Sequence, residues 1–575
     1  MTDKKYLAGA LRNVARTKAL FDSGEPPALI GTVCGSAEAR DFWQQAMEEA
    51  KHRLRAKTAV SFHEDLPVNQ AFGVLLLWQR LRGLFEPGQG ALVAFVFGEG
   101  SRATPFTEAD LGQKPAMASY VASFPSSSPS SSSSSSSPAD VATPILSGRR
   151  YLPMVELALQ YFAPVEAYLR RSGFDGIVVK WGDEVQIPTK DLEGQDPRFK
   201  QADVVRFVSM QRLTDESARA KDWVGVNAAG EVTAFIPRRP LADMEHLADR
   251  GLLQRRDGAL FGGVNLGSIA LSRVFLDALL DEFSREVNDP SADRRSRPDL
   301  DPQLFTALTV ATIAAPEARA EAWAVVTSES AAMRSLAMNM PDVLDRLRRV
   351  LDVFASTHGR PVSMMALDFE DQFWGDVGQH RQIYEFFMTL RAPTEVGRVA
   401  RAIAGIQDAG CMFDARGNVV VGDSKISPQI QVENSVLIDV ELTGQGVIRN
   451  SVLIGTQAHD ITSDDAFDVL STIPSLRLHS RGGTYKVVRD EPLEVAPGER
   501  WTTVFLPAGE VHLRVEEDTD LRDRATHYDR PILNNVVAFQ EAHTIMSHAS
   551  RDQVESRREV RRAEILRRMP PKHGK

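Results

Sequence analysis

A glycine-rich turn ending in a cation, Gly98-Glu99-Gly100-Ser101-Arg102, directly follows the apolar run at residues 91–97. Gly98 and Gly100 permit positive φ and close backbone approach. With Glu99 and Ser101 between and after them, they offer consecutive N–H groups, which form a concavity for an anion. Arg102 can fork two phosphate oxygens. The turn leaves through Thr104-Pro105-Phe106-Thr107 and reaches Lys114-Pro115. Arg102 and Lys114 together would neutralise the charge of a departing polyphosphate. Asp183 follows the apolar run 176–181, and Asp376 lies in Trp374-Gly375-Asp376-Val377-Gly378. Two carboxylates in such turns suit a hard Mg²⁺ ion that also takes substrate phosphates. Glu184 could assist them. Asn265-Leu266-Gly267 offers donors and acceptors of the kind that sugar hydroxyls need. Arg239, beside Arg238, stands where it could hold a further phosphate.

The elements that must position these groups alternate in type. Residues 91–97 and 176–181 are short continuous apolar runs, as in strands buried on both faces of a parallel sheet. Residues 202–210 and 231–236 also read as strands, and 152–171 as an amphipathic helix. Alternation of this kind predicts an α/β layered sheet. Ligands of such sheets gather beyond the carboxyl ends of the strands, where the glycine turn and Asp183 both fall.

The flanks differ. Residues 1–88 read as a helical N-terminal extension, with apolar residues at helical spacing over 4–21, 37–55 and 68–85. Residues 89–400 form the α/β domain, interrupted at 125–138 by a Pro/Ser loop that cannot bury apolar area. Residues 302–353 are helical. Over 401–530 the chain is β-rich, and Asn434-Ser-Val-Leu-Ile438 recurs as Asn450-Ser-Val-Leu-Ile454, sixteen residues later. Such repeats suit stacked β-solenoid coils. Residues 531–575 form a helical tail rich in Glu and Arg, expected to present a solvated helix face, with a partner-binding helix as the alternative.

Composition excludes several classes. The 575 residues exceed one comfortable core. A net charge of −10 argues against a general nucleic-acid binder. The two cysteines, Cys34 and Cys411, cannot form a disulfide framework or a cysteine metal site. No apolar run reaches the length of a signal peptide or a membrane span. A cytoplasmic protein without membrane contact is expected, and a homo-oligomer is allowed.

Taken in order, these motifs resemble the sugar-1-phosphate nucleotidyltransferases. That family opens on G-x-G-T-R-x-x-P-x-T followed by Lys-Pro. The pattern is matched by Gly98 to Thr107 and Lys114-Pro115, with Ser101 in place of Thr. The family's metal-holding Gly-Asp resembles Gly182-Asp183, its Asn-x-Gly resembles Asn265-Leu-Gly267, and its late Asp-x-Gly resembles Asp376-Val-Gly378. Its Glu-Lys-Pro element stands here as Pro237-Arg238-Arg239-Pro240. The family's Gln-x-x-x-x-Gly-Thr-Ala element has no counterpart between Lys114 and Asp183. The resemblance implies a Rossmann-like nucleotidyltransferase domain with a C-terminal left-handed β-helix. It implies Mg²⁺ held by Asp183 and Asp376, a nucleotide held at Gly98–Ser101, and phosphates held by Arg102 and Lys114. A sugar 1-phosphate would be held by Asn265, Gly267 and Arg239. The partners would be that sugar phosphate and a nucleoside triphosphate. Two other readings stand beside this one. One is a sensor of the same fold that binds a nucleotide sugar without turnover. The other is an acyltransferase on the solenoid, for which His459 is the histidine beside the repeat.

Overall fold

The computed structural model describes residues 3–23, 25–34, 37–63, 70–96, 103–113, 119–122, 150–221, 223–236, 238–288, 303–313, 316–406, 416–422, 424–521 and 523–569. The protein is mixed α/β. Its first half runs α1 (Asp3–Ser23), β1 (Leu29–Cys34), α2 (Ala37–Leu54), β2 (Thr58–His63), α3 (Gln70–Leu81), β3 (Ala91–Phe95), α4 (Phe106–Ala109), β4 (Ser119–Ala122), β5 (Arg150–Pro153), α5 (Met154–Arg171), β6 (Gly176–Trp181), β7 (Glu184–Pro188) and β8 (Val204–Arg212). It continues with α6 (Asp215–Ala220), β9 (Trp223–Val226), β10 (Val232–Ile236), α7 (Leu241–Asp249), β11 (Gln254–Arg256) and β12 (Ala259–Ser272). Helices α8 (Arg273–Glu282), α9 (Ser284–Asn288), α10 (Gln303–Ala311), α11 (Pro316–Glu329), α12 (Ala331–Asn339) and α13 (Val343–His358) precede β13 (Met364–Asp368), β14 (Gln372–Asp376), α14 (His380–Met388) and α15 (Glu395–Ile403).

The large sheet has the order β2-β1-β3-β6-β12-β8-β13, with β9 and β10 branching from the outer half of β12. Strands β2, β1, β3 and β6 are parallel. β12 runs antiparallel between β6 and β8. Their continuous apolar character follows from cover on both faces: one apolar cluster lies under α3, α8 and α13, another under α2 and α5. The predicted strands at 91–97, 176–181, 202–210 and 231–236 are β3, β6, β8 and β10. The predicted Pro/Ser loop at 125–138 lies outside the described residues.

Residues 1–88 do not form a purely helical extension. The three helices stand where expected, but β1 and β2 lie between them and extend the sheet next to β3. Leu29–Cys34 is buried at every position. The six residues Leu29–Cys34, between Pro27 and Gly35, are too short a run to compete with strong helical periodicity on both sides.

After residue 416 the strands are short and parallel. One sheet stacks Val419–Val421, Val436–Ile438, Val452–Ile454, Phe467–Val469, Gly483–Tyr485 and Glu499–Leu506. The antiparallel strand Gly509–Glu516 ends it. The repeated pentapeptides stack directly, Val436 on Val452 and Ile438 on Ile454. Positive φ recurs at Asn434, Asn450, Asp465 and Arg481, and again at Asp439, Gly455, Leu470 and Lys486. These two columns of left-handed corners return the chain to register at each pass. Asn and Asp tolerate such corners better than most side chains.

The tail is two helices, each packed along one face and solvated along the other. α16 (Phe539–Ser547) and α17 (Arg551–Arg568) pack on the C-terminal strands, burying Phe539, Met546, Val554 and Ile565. Arg562 donates to Thr472 Oγ1 and Gln457 Oε1, and Arg557 to the carbonyls of Phe505 and Leu506. Among the described residues no helix is long and apolar enough to cross a membrane.

Candidate functional site

The site is built at the carboxyl ends of β3 and β6. Phe95 is in register with Trp181, and the Gly182 N–H donates to the Phe95 carbonyl at 3.0 Å. The chain that leaves β3 toward the glycine turn therefore starts against Gly182, one residue before Asp183. Gly98, Glu99, Gly100, Ser101, Arg102 and Lys114 themselves lie outside the described residues.

Asp183 is joined to Asp376 by the backbone. After Asp183 the chain turns into β7, which pairs antiparallel with β14 so that Glu184 faces Asp376 and Gln186 faces Trp374. The Val377 N–H donates to the Asp183 carbonyl at 3.3 Å. Two carboxylates 193 residues apart in sequence thus stand at one end of a two-stranded arm. Gly375 lets this arm seat against α14, since a Cβ there would meet the Phe386 ring at 1.9 Å. Asp376 accepts from the Gly378 N–H at 2.8 Å and from Gln382 Nε2 at 3.0 Å.

Opposite residues of an antiparallel pair share a face. Glu184, Gln186, Trp374 and Asp376 therefore line one wall. Gln186 Nε2 donates to the Leu266 carbonyl at 3.3 Å, which ties that wall to Asn265-Leu266-Gly267. This tripeptide sits where the β12–β8 register breaks, between Asn265 and Ile269. Gly267 has φ +76°, and a Cβ there would come within 3.0 Å of Trp181 Nε1, so the position requires glycine. Arg206, buried and with its pKa lowered to about 10 by desolvation, donates to Asn265 Oδ1 at 2.6 Å and fixes that amide. Trp374 is 53% exposed and is the only exposed aromatic side chain among the described residues.

Arg239 lies on the flank of the same end. β10 and β12 run in the same direction with β9 between them, and Ile236, Trp223 and Val264 are in register. The chain leaves β10 toward Arg239 at the level where β12 reaches Asn265. The Arg239 N–H donates to the Ala218 carbonyl.

Sequence reasoning did not find the groups behind this wall. Lys180 is fully buried on β6, and its Nζ lies 2.5 Å from Glu184 Oε1. The other Glu184 oxygen accepts from Trp374 Nε1 at 2.7 Å. Burial lowers the Lys180 pKa, opposed by the charges of Glu184, Asp183 and Asp376. Burial likewise raises that of Glu184, opposed by Lys180. The signal available in sequence was a lysine inside the apolar run Gly176–Trp181, four residues before a glutamate.

Among the described residues no set of three His, Cys, Asp or Glu side chains is arranged to hold a metal ion. Glu184 is engaged by Lys180 and Trp374, and Asp376 by the Gly378 N–H and Gln382 Nε2, so an ion at Asp183 and Asp376 would share carboxylate oxygens that also accept hydrogen bonds. Two hard carboxylate oxygen donors fit Mg²⁺ shared with substrate phosphates, because Mg²⁺ keeps several waters and seldom needs an all-protein cage.

His380, four residues after Asp376, packs edge-on against Phe106 at 4.6 Å. Burial, helped by the charge of Arg500, lowers its pKa from 6.5 to about 3, against opposing hydrogen bonds to the backbone of Ala103 and Thr104. The unfolded chain binds this proton near pH 6.5 and the folded chain only near pH 3. The stabilisation is therefore complete above pH 6.5 and is lost as the pH falls toward 3. The loss can reach about 4 kcal/mol. Urea midpoints of His380→Phe should fall less steeply than the parent's between these limits; parallel curves would count against a buried neutral imidazole.

In comparisons with known proteins, the chain matches no family model and no curated protein.

Proposed function

We propose that the protein transfers a nucleotidyl group from a nucleoside triphosphate to a sugar 1-phosphate, with Mg²⁺, releasing pyrophosphate and forming a nucleotide sugar. The observation that carries this reading is the meeting of Asp183 and Asp376 on one arm, facing the Asn265–Gly267 bulge, beside the root of the glycine turn. We read the large sheet as Rossmann-like, the C-terminal strands as coils of a left-handed β-helix, and the protein as cytoplasmic.

In this reading an oxygen of the sugar 1-phosphate attacks the α-phosphorus. The new P–O bond forms as the bond to the bridging α,β-oxygen breaks, and the electron pair leaves with pyrophosphate. The protein supplies position and charge. Gly98–Ser101 hold the nucleotide through backbone N–H groups, and Arg102 and Lys114 hold the departing phosphates. Asp183 and Asp376 would hold Mg²⁺, which supplies neutralisation of phosphate charge. Asn265, with Oδ1 engaged by Arg206 and the Gly267 N–H, presents its amide nitrogen to a sugar hydroxyl. Trp374 gives the sugar an apolar wall, and Arg239 closes the phosphate side.

The test is pyrophosphate release with Mg²⁺ across a grid of nucleoside triphosphates and sugar 1-phosphates. A signal confined to one pairing is expected and would identify base and sugar together. Silence across the grid, with nucleotide still bound by calorimetry, would overturn transfer in favour of a sensor.

A further inference from the structure

A cavity of about 150 Å³ opens at the β13 edge of the large sheet, where β8 and β13 end. Ligands of such sheets gather beyond these carboxyl ends. None of its lining residues belongs to the site described above. Met210, Val226 and Ala366 give it an apolar wall. Its charged lining residues are Lys190, Arg198, Arg256 and Asp368. Arg198 is neutralised by Asp196, which it grips through Nε at 3.0 Å and Nη2 at 2.6 Å. The Lys190 ammonium has no hydrogen bond or ion pair among the described residues, and the acid its charge reaches is that same Asp196. Arg256 has no carboxylate partner among them either; its Nε donates to Gln254 Oε1 at 2.7 Å and its guanidinium lies over the Phe261 ring. Asp368 accepts the N–H groups of Met210 at 3.0 Å and Glu370 at 2.8 Å, both through Oδ1, so Oδ2 has no donor among the described residues. Two cations against one carboxylate leave an excess of one positive charge around the cavity. Its walls are tied to one another. Gln254 Nε2 donates to the Asn227 carbonyl at 2.7 Å, and the Ala366 N–H to the Gly230 carbonyl at 2.8 Å, so the turn between β9 and β10 is bonded to β11 and to β13. Lys190 is pinned by its backbone, with its N–H on the Phe369 carbonyl and its carbonyl under Asn13 Nδ2. A preformed concavity with an apolar wall and a few convergent polar groups is the usual form of a small-molecule site.

We propose that this cavity binds a small hydroxylated anion, a three-carbon skeleton carrying one phosphate or carboxylate. Lys190 and Arg256 take the anionic group through charge-assisted hydrogen bonds. Asp368 Oδ2 accepts from a hydroxyl, and Met210, Val226 and Ala366 cover the carbon chain. The volume sets the size: a cavity of this order holds a molecule such as benzene, so the ligand has on the order of six to ten heavy atoms. The excess positive charge sets the class. A zwitterion of the same size, with its carboxylate on the cations and its ammonium on Asp368, would meet the same groups but leave that charge unneutralised. This assignment does not rest on nucleotidyl transfer, which uses none of these residues.

The experiment is calorimetric titration of the full chain with glycerol 3-phosphate, glycerate and serine. Serine has the skeleton of glycerate with an ammonium in place of one hydroxyl. Both anions should bind, and the tighter of the two identifies the anionic group; serine should bind about tenfold more weakly than glycerate. Lys190→Met and Arg256→Met should each weaken binding of the anions about tenfold, the loss of one hydrogen bond to a charged group. Both side chains are free of carboxylate partners, so these changes leave the fold intact. Arg239→Met, at the proposed sugar-phosphate position of the other site, should leave the affinities unchanged. No heat from either anion at millimolar concentration would overturn the proposal. So would affinities equal to the parent's in Lys190→Met and Arg256→Met, or binding lost in Arg239→Met, which would place the ligand at the other site. Serine bound more tightly than glycerate would overturn the class in favour of an amino acid. Pyrophosphate release is read separately, so failure of nucleotidyl transfer leaves this result standing, and the reverse.

Discussion

Asp376→Asn is expected to fold as the parent does and to lose the proposed nucleotidyl transfer by about three orders of magnitude, the several kcal/mol that charge stabilisation by a held ion contributes. The substitution separates two roles the residue could have. As a turn residue, Asp376 accepts the Gly378 N–H at 2.8 Å through Oδ1, a bond an asparagine oxygen makes equally well. Its other oxygen accepts from Gln382 Nε2 at 3.0 Å, and a side-chain flip in glutamine lets that contact persist with an amide donor. Stability should therefore stay within about 1 kcal/mol of the parent by urea unfolding. What asparagine cannot replace is the negative charge beside Asp183. Asp183→Asn should show the same loss of turnover. Full activity in either variant would remove that aspartate from the ion site, however close the arm brings it to the bulge.

The parts of this site legible in sequence were those with a local signature. Asp183 follows a six-residue apolar run, and the structure ends β6 there. Asn265-Leu-Gly267 has a glycine where the backbone goes left-handed, and Trp374-Gly-Asp376 has one where α14 needs room. The reading of β3, β6, β8 and β10 as strands rested on short apolar runs that burial on both faces explains. Other features depend on contacts between distant residues and have no local signature. β1 is a sheet strand because β3 is beside it and β2 because β1 is, and Thr58–His63 is only half-buried. The Lys180–Glu184–Trp374 chain needs β14 to pair with β7, which no spacing within residues 176–188 announces. Arg558 and Arg562 looked like solvated helix charges, yet both are buried, because the carbonyl of Ala109 and the side chains of Gln457 and Thr472 lie beneath them. The polar composition of α17 divides between two faces: most of its charged residues are solvated, and Arg558 and Arg562 instead meet the segment around α4 and the C-terminal strands.

That last packing leads to the largest expected effect on stability. Asp110→Ala should cost about 3 kcal/mol or more, because it strands a buried cation. Asp110 is 7% exposed and accepts from Tyr485 Oη at 2.8 Å and from Lys486 Nζ at 2.6 Å. Lys486 occupies a left-handed corner of the C-terminal strands with φ +53°, and its side chain is 12% exposed. Its other carboxylate, Glu555, is 4.0 Å away and shared with Arg558, so it offsets only part of the loss. The neighbouring contacts belong to the same joint. Phe106 stacks on Tyr485 at 5.1 Å, and Arg558 donates to the Ala109 carbonyl at 3.0 Å. Residues 103–113 are therefore held by elements some 375 residues later in the chain, and their closure carries a large entropic cost that the joint must offset. Asp110→Asn, which keeps an acceptor but not the charge, should fall between parent and alanine in urea unfolding. The double variant Asp110→Ala/Lys486→Met should recover most of the loss, since removing both partners leaves no buried charge. If the double variant were as unstable as the sum of the two single changes, the pair would be contributing nothing to stability through its charges. The hold of the C-terminal strands on this segment would then rest on the ring contacts of Phe106 with Tyr485 and Phe467 and on the apolar cluster that Leu111 shares with Val504 and Phe505.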